Sequence, residues 1–326
     1  MSRRCEFTDR RRAIALVVLA SAGVGGAFAQ VQAVRPIRVV VPFAAGSYTD
    51  SVVRIVIPAL GEKLGTPIVV DNRPGANGTI GADAVAKAPP DGSTFLMGGA
   101  GLNAANPGLY KSLPYDPVRD LVPVVRFGVV PFLLVVNPKV PAKTVPELIE
   151  HAKNNPGKLA YATPNSVTLV AMEAFKRRAG VDILGVPYKS SPQAMLDLVS
   201  GQVQVLVSDF ATAIAHVRAG NARVIAVTMV RRSPLLPDVP TVDEVLRGYD
   251  ISAWLGLFAP AGTPRDALQR VADALAAVLA TRELQDKFAS IGFDLAPLGP
   301  DGFGPYVREQ IGVWGELIRQ AGIKPE

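Results

Sequence analysis

The sequence predicts an α/β protein made of repeated strand–helix units arranged in two lobes. Three observations carry this. A short apolar run, Ile37 to Val41, empties through Pro42 and a small-residue loop into a helical pattern that begins near Asp50. The same strand-then-helix order recurs down the chain, which argues for mostly parallel sheets flanked by helices, with a ligand crevice at the carboxyl ends of the strands. Finally, the length left after a leader is removed is large for a single hydrophobic core.

The leader comes first. Arg3, Arg4 and Arg10 to Arg12 form a basic start, Ala13 to Ala20 an apolar stretch, and Ala27-Phe28-Ala29 a small-residue cleavage signal. Residues 1–29 are therefore read as a signal peptide, cleaved after Ala29, that sends the protein to the periplasm. The three consecutive arginines leave the general secretory and twin-arginine routes both open. Of the 326 residues, 297 remain. Cleavage also removes Cys5, the only cysteine, so the mature chain has no disulfide and no thiolate metal site. Losing five arginines and two acids takes the net charge from +6 to +3. So mild a basicity, spread along the chain, is no footprint for nucleic acid.

Asp50 to Leu64 keeps helical spacing through Val53, Val56, Ile57, Leu60 and Leu64, and Pro58 inside it predicts a bend or an earlier end. Pro67 to Asp71 reads as a strand, the cluster Asn72 to Gly78 as a turn, and Ile80 to Lys87 as a helix. Ser93 to Gly98 is a strand that opens into the small-residue loop Gly98 to Gly101. Leu121 to Val136, interrupted by Pro123, Gly128 and Pro131, reads as two strands in succession. Thr144-Val145-Pro146-Glu147 then supplies a helix cap, a first-turn proline and a capping-box acid.

The middle of the chain repeats this logic. Strands are expected at 158–163, 181–186, 203–207 and 224–228, and helices at 167–178, 193–200 and 212–219. Trp254 to Pro260 is an extended stretch placed to cross back to the first lobe, and two helices, through Leu268 to Leu279 and Phe303 to Ile318, close the chain. No repeat is visible in the sequence itself. The predicted division is 30–135 plus 255–326 for the first lobe and 136–254 for the second, with strands near 133–137 and 254–259 as the hinge.

The opening loop is the most informative candidate site. A strand that ends in Gly46, Ser47 and Tyr48 just before a helix presents unpaired amides and the positive end of a helix dipole, which suit a carboxylate. The plainer reading is an ordinary connection capped by Asp50. Catalytic chemistry finds little support. His151 and His216 have no partner at metal-ligand spacing, and nucleophile-elbow and phosphate-loop motifs are missing. Neither a cofactor nor a metal is expected. An acid/base pair of Asp50 and Asp209 would make the protein a periplasmic enzyme, an alternative that ranks below capping roles. Trp254 and Trp314 read as packing residues.

Ordered motifs over nearly the whole mature chain carry a resemblance. They are Val40-Val41-Pro42-Phe43, Asp71-Asn72-Arg73-Pro74-Gly75-Ala76, Ala88-Pro89-Pro90-Asp91-Gly92, Leu113-Pro114-Tyr115-Asp116-Pro117, Val186-Pro187-Tyr188-Lys189 and Leu236-Pro237-Asp238-Val239-Pro240-Thr241. The chain resembles the Bug-type receptors of tripartite tricarboxylate transporters. The resemblance implies a type II-like periplasmic-binding-protein fold whose lobes close on a small organic acid, held mainly by backbone groups and water. It implies a monomer that delivers its ligand to membrane permease subunits; presentation of the ligand to a membrane sensor is the alternative.

Ligand-binding residues carried over from the family pattern are Pro42, Phe43, Gly46 and Asp50, together with Ala45, Ser47, Tyr48 and Thr49 of the same loop. Gly99 and Ala100, then Thr163, Asn165, Ser166 and Asp209, complete the expected set. Amides of Gly46 to Thr49 are expected to take the carboxylate, with Asp50 turned into its own loop. The chain departs from the pattern at Ala45 to Asp50, where the family has more glycine, and at Ala162 to Thr168, which is shorter and has a proline and no histidine.

Overall fold

The computed structural model describes residues 35–326. The expected signal peptide, its cleavage site and Cys5 lie outside the described residues. The first sheet opens with β1 (Ile37–Val41), α1 (Tyr48–Leu64), β2 (Ile68–Asn72), α2 (Thr79–Ala86) and β3 (Thr94–Gly99). A π-helical turn, Ala100–Ala105, and the short α3 (Asn106–Leu109) lead to β4 (Leu121–Val130). In the second sheet, β5 (Phe132–Val136) is followed by α4 (Val145–Asn154), β6 (Ala160–Thr163), α5 (Ser166–Ala179), β7 (Leu184–Pro187) and α6 (Ser191–Ser200). It is completed by β8 (Val205–Asp209), α7 (Phe210–Arg218) and β9 (Arg223–Val227). The chain returns through β10 (Ala253–Pro260) and ends in α8 (Arg265–Leu279), α9 (Arg282–Ser290), β11 (Asp294–Leu298) and α10 (Pro300–Ala321).

The two-lobe α/β expectation is met, and the sheets share a plan. Strand order is β11-β4-β10-β3-β1-β2 in one and β7-β6-β8-β5-β9 in the other. Setting the edge strand β11 aside, both follow one rule: three strands in parallel, then a crossing strand antiparallel to its two neighbours. The expectation of mostly parallel sheets is thus confined to β2-β1-β3 and β7-β6-β8. The remaining pairs are antiparallel because the crossing strands enter from the other lobe. This repeat lives in topology, where no sequence repeat announced it.

The exchange between sheets happens at two places. Pro131 separates β4 from β5, and residues 228–252 lead from β9 to β10. Residues 132–135 therefore run in the second sheet, and Ala253 and Trp254 already in the first, each a few positions ahead of the limits expected at 135/136 and 254/255. Thr228, fully buried, ties both crossings together: its amide donates to Phe132 O at 3.0 Å and its hydroxyl to Ile251 O at 2.6 Å.

Local chemistry explains most element limits. Pro58 does not stop α1, which runs on to a left-handed Gly65. Thr144 caps α4 by accepting from the Glu147 amide, but Glu147 reaches back to the Lys143 amide at 2.6 Å, so the expected box closes one residue early. Short, polar α9 and the edge strand β11 escaped the sequence reading. β11 carries only partly covered side chains, and its pairing with β4 is what makes it a strand.

Trp254 sits in β10 at 1% exposure, its ring perpendicular to Phe303 of α10 at 5.5 Å. Gly256 beside it leaves the space that Phe303 occupies, which a side chain would fill.

Candidate functional site

Carboxyl ends of strands from both sheets face one cleft of about 90 Å³. The shared plan explains this convergence: α1 leaves β1 as α5 leaves β6, and the Ala100–Ala105 turn leaves β3 as α7 leaves β8. Helix starts from both lobes thus point their unpaired amides at one place. Phe43, Met97, Leu102, Val130, Phe132, Val167 and Leu255 give it apolar walls.

At the first helix start, Ser47 is the cap, its hydroxyl accepting from the Asp50 amide at 3.3 Å. Asp50 therefore does not cap α1. It lies in the first turn, 2% exposed, and accepts from the Gly46 amide at 2.9 Å, the Arg54 guanidinium at 2.8 Å and the Asn72 side-chain amide at 3.0 Å. Burial pushes its carboxyl up, but the bonds from Arg54, Gly46 and Asn72 outweigh that and hold it below its ordinary range. The Gly46 amide is thereby spent on Asp50 and the Ser47 amide on Ala44 O. Of the expected amide donors, Tyr48 and Thr49 remain, as the first two residues of the helix.

The second lobe supplies its own caps. Asn165 and Thr168 form a reciprocal capping box at the start of α5. Asp209 caps α7, accepting from the Thr212 amide at 2.8 Å and the Thr212 hydroxyl at 2.9 Å. It is 4% exposed, and burial pushes its carboxyl up against those two bonds. Tyr48 feels it: burial, then the charges of Asp209 and Asp294, hold the phenol well above its usual range.

Of the residues expected from sequence, Phe43, Ser47, Tyr48, Thr49, Gly99, Ala100, Asn165, Ser166 and Asp209 line the cleft. Pro42, Ala45, Gly46, Asp50 and Thr163 do not. Gly46 adopts φ +78°, which turns the loop so that Ala45 and Gly46 face solvent. Pro42 backs the loop against Gly78 and Gly81, and the Thr163 hydroxyl is turned to Val186 O at 3.3 Å. The Asp50–Asp209 acid/base pair is not assembled, since Asp50 is bound within its own loop and only Asp209 lines the cleft.

Several lining residues were missed. Asn77 holds a left-handed conformation at φ +50°, donates to the Tyr110 hydroxyl at 2.6 Å, and was hidden inside a turn cluster. Lys189, Ser190 and Ser191 arrive at the start of α6, where Ser190 accepts from the Gln193 amide. Ser190 with Gln193 three residues on was a legible helix start. Ala253, Trp254 and Leu255 come from the crossing strand. Lys189, which is exposed, and Asp209 are the only charged residues among those that line the cleft.

The chain has known relatives in both sequence and fold. Residues 52–323 match the model of the tripartite tricarboxylate transporter family receptor. Protein BugT of Bordetella pertussis is 34% identical over 322 residues, 97% of this chain and 98% of its own. Among solved structures, R. palustris Rpa4515 with adipate superposes with a TM-score of 0.87 at 34% identity, over 90% of this chain and 99% of that one. MatC from Rhodopseudomonas palustris, with bound malate, gives 0.81 at 32% identity, over 87% and 99%.

Proposed function

The chain belongs to the tripartite tricarboxylate transporter receptor family, and on that premise we propose that it binds a small organic carboxylate in the cleft and delivers it to the membrane permease of such a transporter. The observation that carries this reading is the convergence of helix starts from both lobes on one small, largely apolar cleft. Tyr48 and Thr49 amides hold the carboxylate, because the helix dipole favours negative charge where the N–H groups have no helical partner. Apolar walls set the size of the ligand's body and, by excluding water, strengthen those bonds. Closure of the two lobes buries the ligand; since the expected hinge segments near 133–137 and 254–259 lie within β5 and β10, the bending falls just ahead of them, at Pro131 and the 228–252 return, and the closed form is the one the permease meets. The adipate of Rpa4515 and the malate of MatC support a short aliphatic acid as the ligand.

A calorimetric panel of mono- and dicarboxylates, amino acids and neutral sugars on the mature protein tests the binding step. A ligand at about a hundred times its dissociation constant stabilises by roughly 2.7 kcal/mol, a thermal shift that is easily read. Binding of sugars or cations with no response to any carboxylate would end this reading. Delivery is tested by uptake of the identified acid in a strain lacking the receptor.

A further inference from the structure

We propose that Asp209 makes this cleft selective for carboxylates that carry a hydrogen-bond donor beside the acid group, an amino or hydroxy acid, over the plain acid of equal length. The inference rests on the carboxylate-receptor reading and names the ligand class within it.

Each oxygen of Asp209 accepts one bond, the Thr212 amide on Oδ1 and the Thr212 hydroxyl on Oδ2. A carboxylate offers about four acceptor positions, so roughly two stay open. No cation pairs with it among the described residues. It is nonetheless almost wholly buried and lines a largely apolar cavity, where an open acceptor position is costly.

The ligand's own carboxylate sharpens the demand. Tyr48, which opens the helix proposed to hold that group, is close enough to Asp209 for the acid's charge to disfavour its ionisation. A plain acid would bring a second negative charge into the cleft that Asp209 lines. An ammonium or hydroxyl on the neighbouring carbon gives Asp209 the donor it lacks and, as ammonium, cancels the repulsion. Burial pushes the Asp209 carboxyl up against its bonds from Thr212, and a further donor from the ligand would offset that cost. Exposed Lys189 could screen a distal carboxylate but is not tied to Asp209 by any contact.

Capping alone would also explain an aspartate at this position, so the test must separate the two roles. Dissociation constants are measured by calorimetry at neutral pH for matched trios of three to six carbons, each as the plain, 2-hydroxy and 2-amino acid, on wild type, Asp209→Asn and Asp209→Ser. Both variants keep a side-chain oxygen for the Thr212 amide. The expected result is that the best hydroxy or amino acid binds wild type at least about tenfold tighter than its plain counterpart, a ratio that falls toward one in both variants. Equal or tighter binding of the plain acid by wild type overturns the inference while leaving the receptor reading intact. So does a preference that survives in both variants, since Asp209 would then be a cap alone. Failure of every acid in the panel overturns both.

Discussion

The Ser166 hydroxyl donates to Asn106 Oδ1 at 2.6 Å, joining the second-lobe helix α5 to the start of α3 in the first lobe. Both residues are buried, at 2% and 0% exposure. Asn106 passes the connection on by donating to Asn77 O at 3.2 Å, and Asn77 in turn donates to the Tyr110 hydroxyl. A chain of hydrogen bonds thus fastens the lobes together beside the cleft, with Ser166 and Asn77 among its lining residues.

Ser166→Ala removes one partner and leaves Asn106 Oδ1 buried without a donor, a cost of about 1–3 kcal/mol that falls only on the closed arrangement. The unliganded variant is expected to have a larger radius of gyration in small-angle scattering than wild type, and to recover the wild-type value with saturating ligand. Identical profiles for the two proteins without ligand would show that this bond does not hold the lobes.

Asp50→Ala frees three donors at once, on Gly46, Arg54 and Asn72. Because Arg54 is half exposed, the loss is set at about 2 kcal/mol, or roughly 4 °C in melting temperature for a chain of this size. The pH dependence has a definite sign. With its folded pKa lowered, Asp50 contributes fully above the ordinary carboxylate value of about 4, and its contribution is lost as pH falls through the lower folded value. Melting curves of variant and wild type should differ most at neutral pH and converge on strong acidification; a constant gap down to pH 2 would contradict the role given to this charge.

Asp209 has the opposite sign. Its folded pKa is raised, so its ionisation costs stability as pH rises from the ordinary carboxylate range through the folded value. Asp209→Asn keeps the cap and removes that cost. Without ligand, the variant should melt at or above the wild-type temperature at neutral pH, and the two should meet near pH 4. A lower midpoint for the variant at every pH would mean that the charge on the cap outweighs its burial.

Gly99→Ala is expected to damage the cleft without touching its polar groups. Gly99 is extended, so its backbone suits any residue, but an added Cβ would lie 2.5 Å from Trp254 O of the neighbouring strand. Overpacking of this kind costs about 1–3 kcal/mol and would push β3 and β10 apart at the cleft floor. Differential scanning calorimetry should show the loss, with ligand affinity reduced alongside; an unchanged midpoint would mean that the strands yield freely there.

By itself the sequence determined most of the order of elements, short α9 and edge strand β11 apart, and part of the local chemistry that ends them. Apolar runs at strand or helix spacing and Thr144 before α4 are short-range facts, settled by backbone sterics and hydrogen bonds within a few residues, whereas the cap of α1 is Ser47 and not the expected Asp50. Motif matches along the chain also fixed the family and pointed to the loops after β1, β3, β6 and β8. Tertiary structure alone decided which atoms in those loops are free. Asp50 spends the Gly46 amide, Thr163 turns toward β7, and Asn77, Lys189 and Ser190 enter the cleft from elements far apart in sequence. A side chain's place in a cleft depends on the rotation of its strand or turn relative to a partner more than a hundred residues away, and local periodicity holds no record of that angle. The same reason hid the twofold plan of the sheets: exchange of β5 and β10 between lobes is a matter of long-range pairing, which two unlike sequences satisfy equally well.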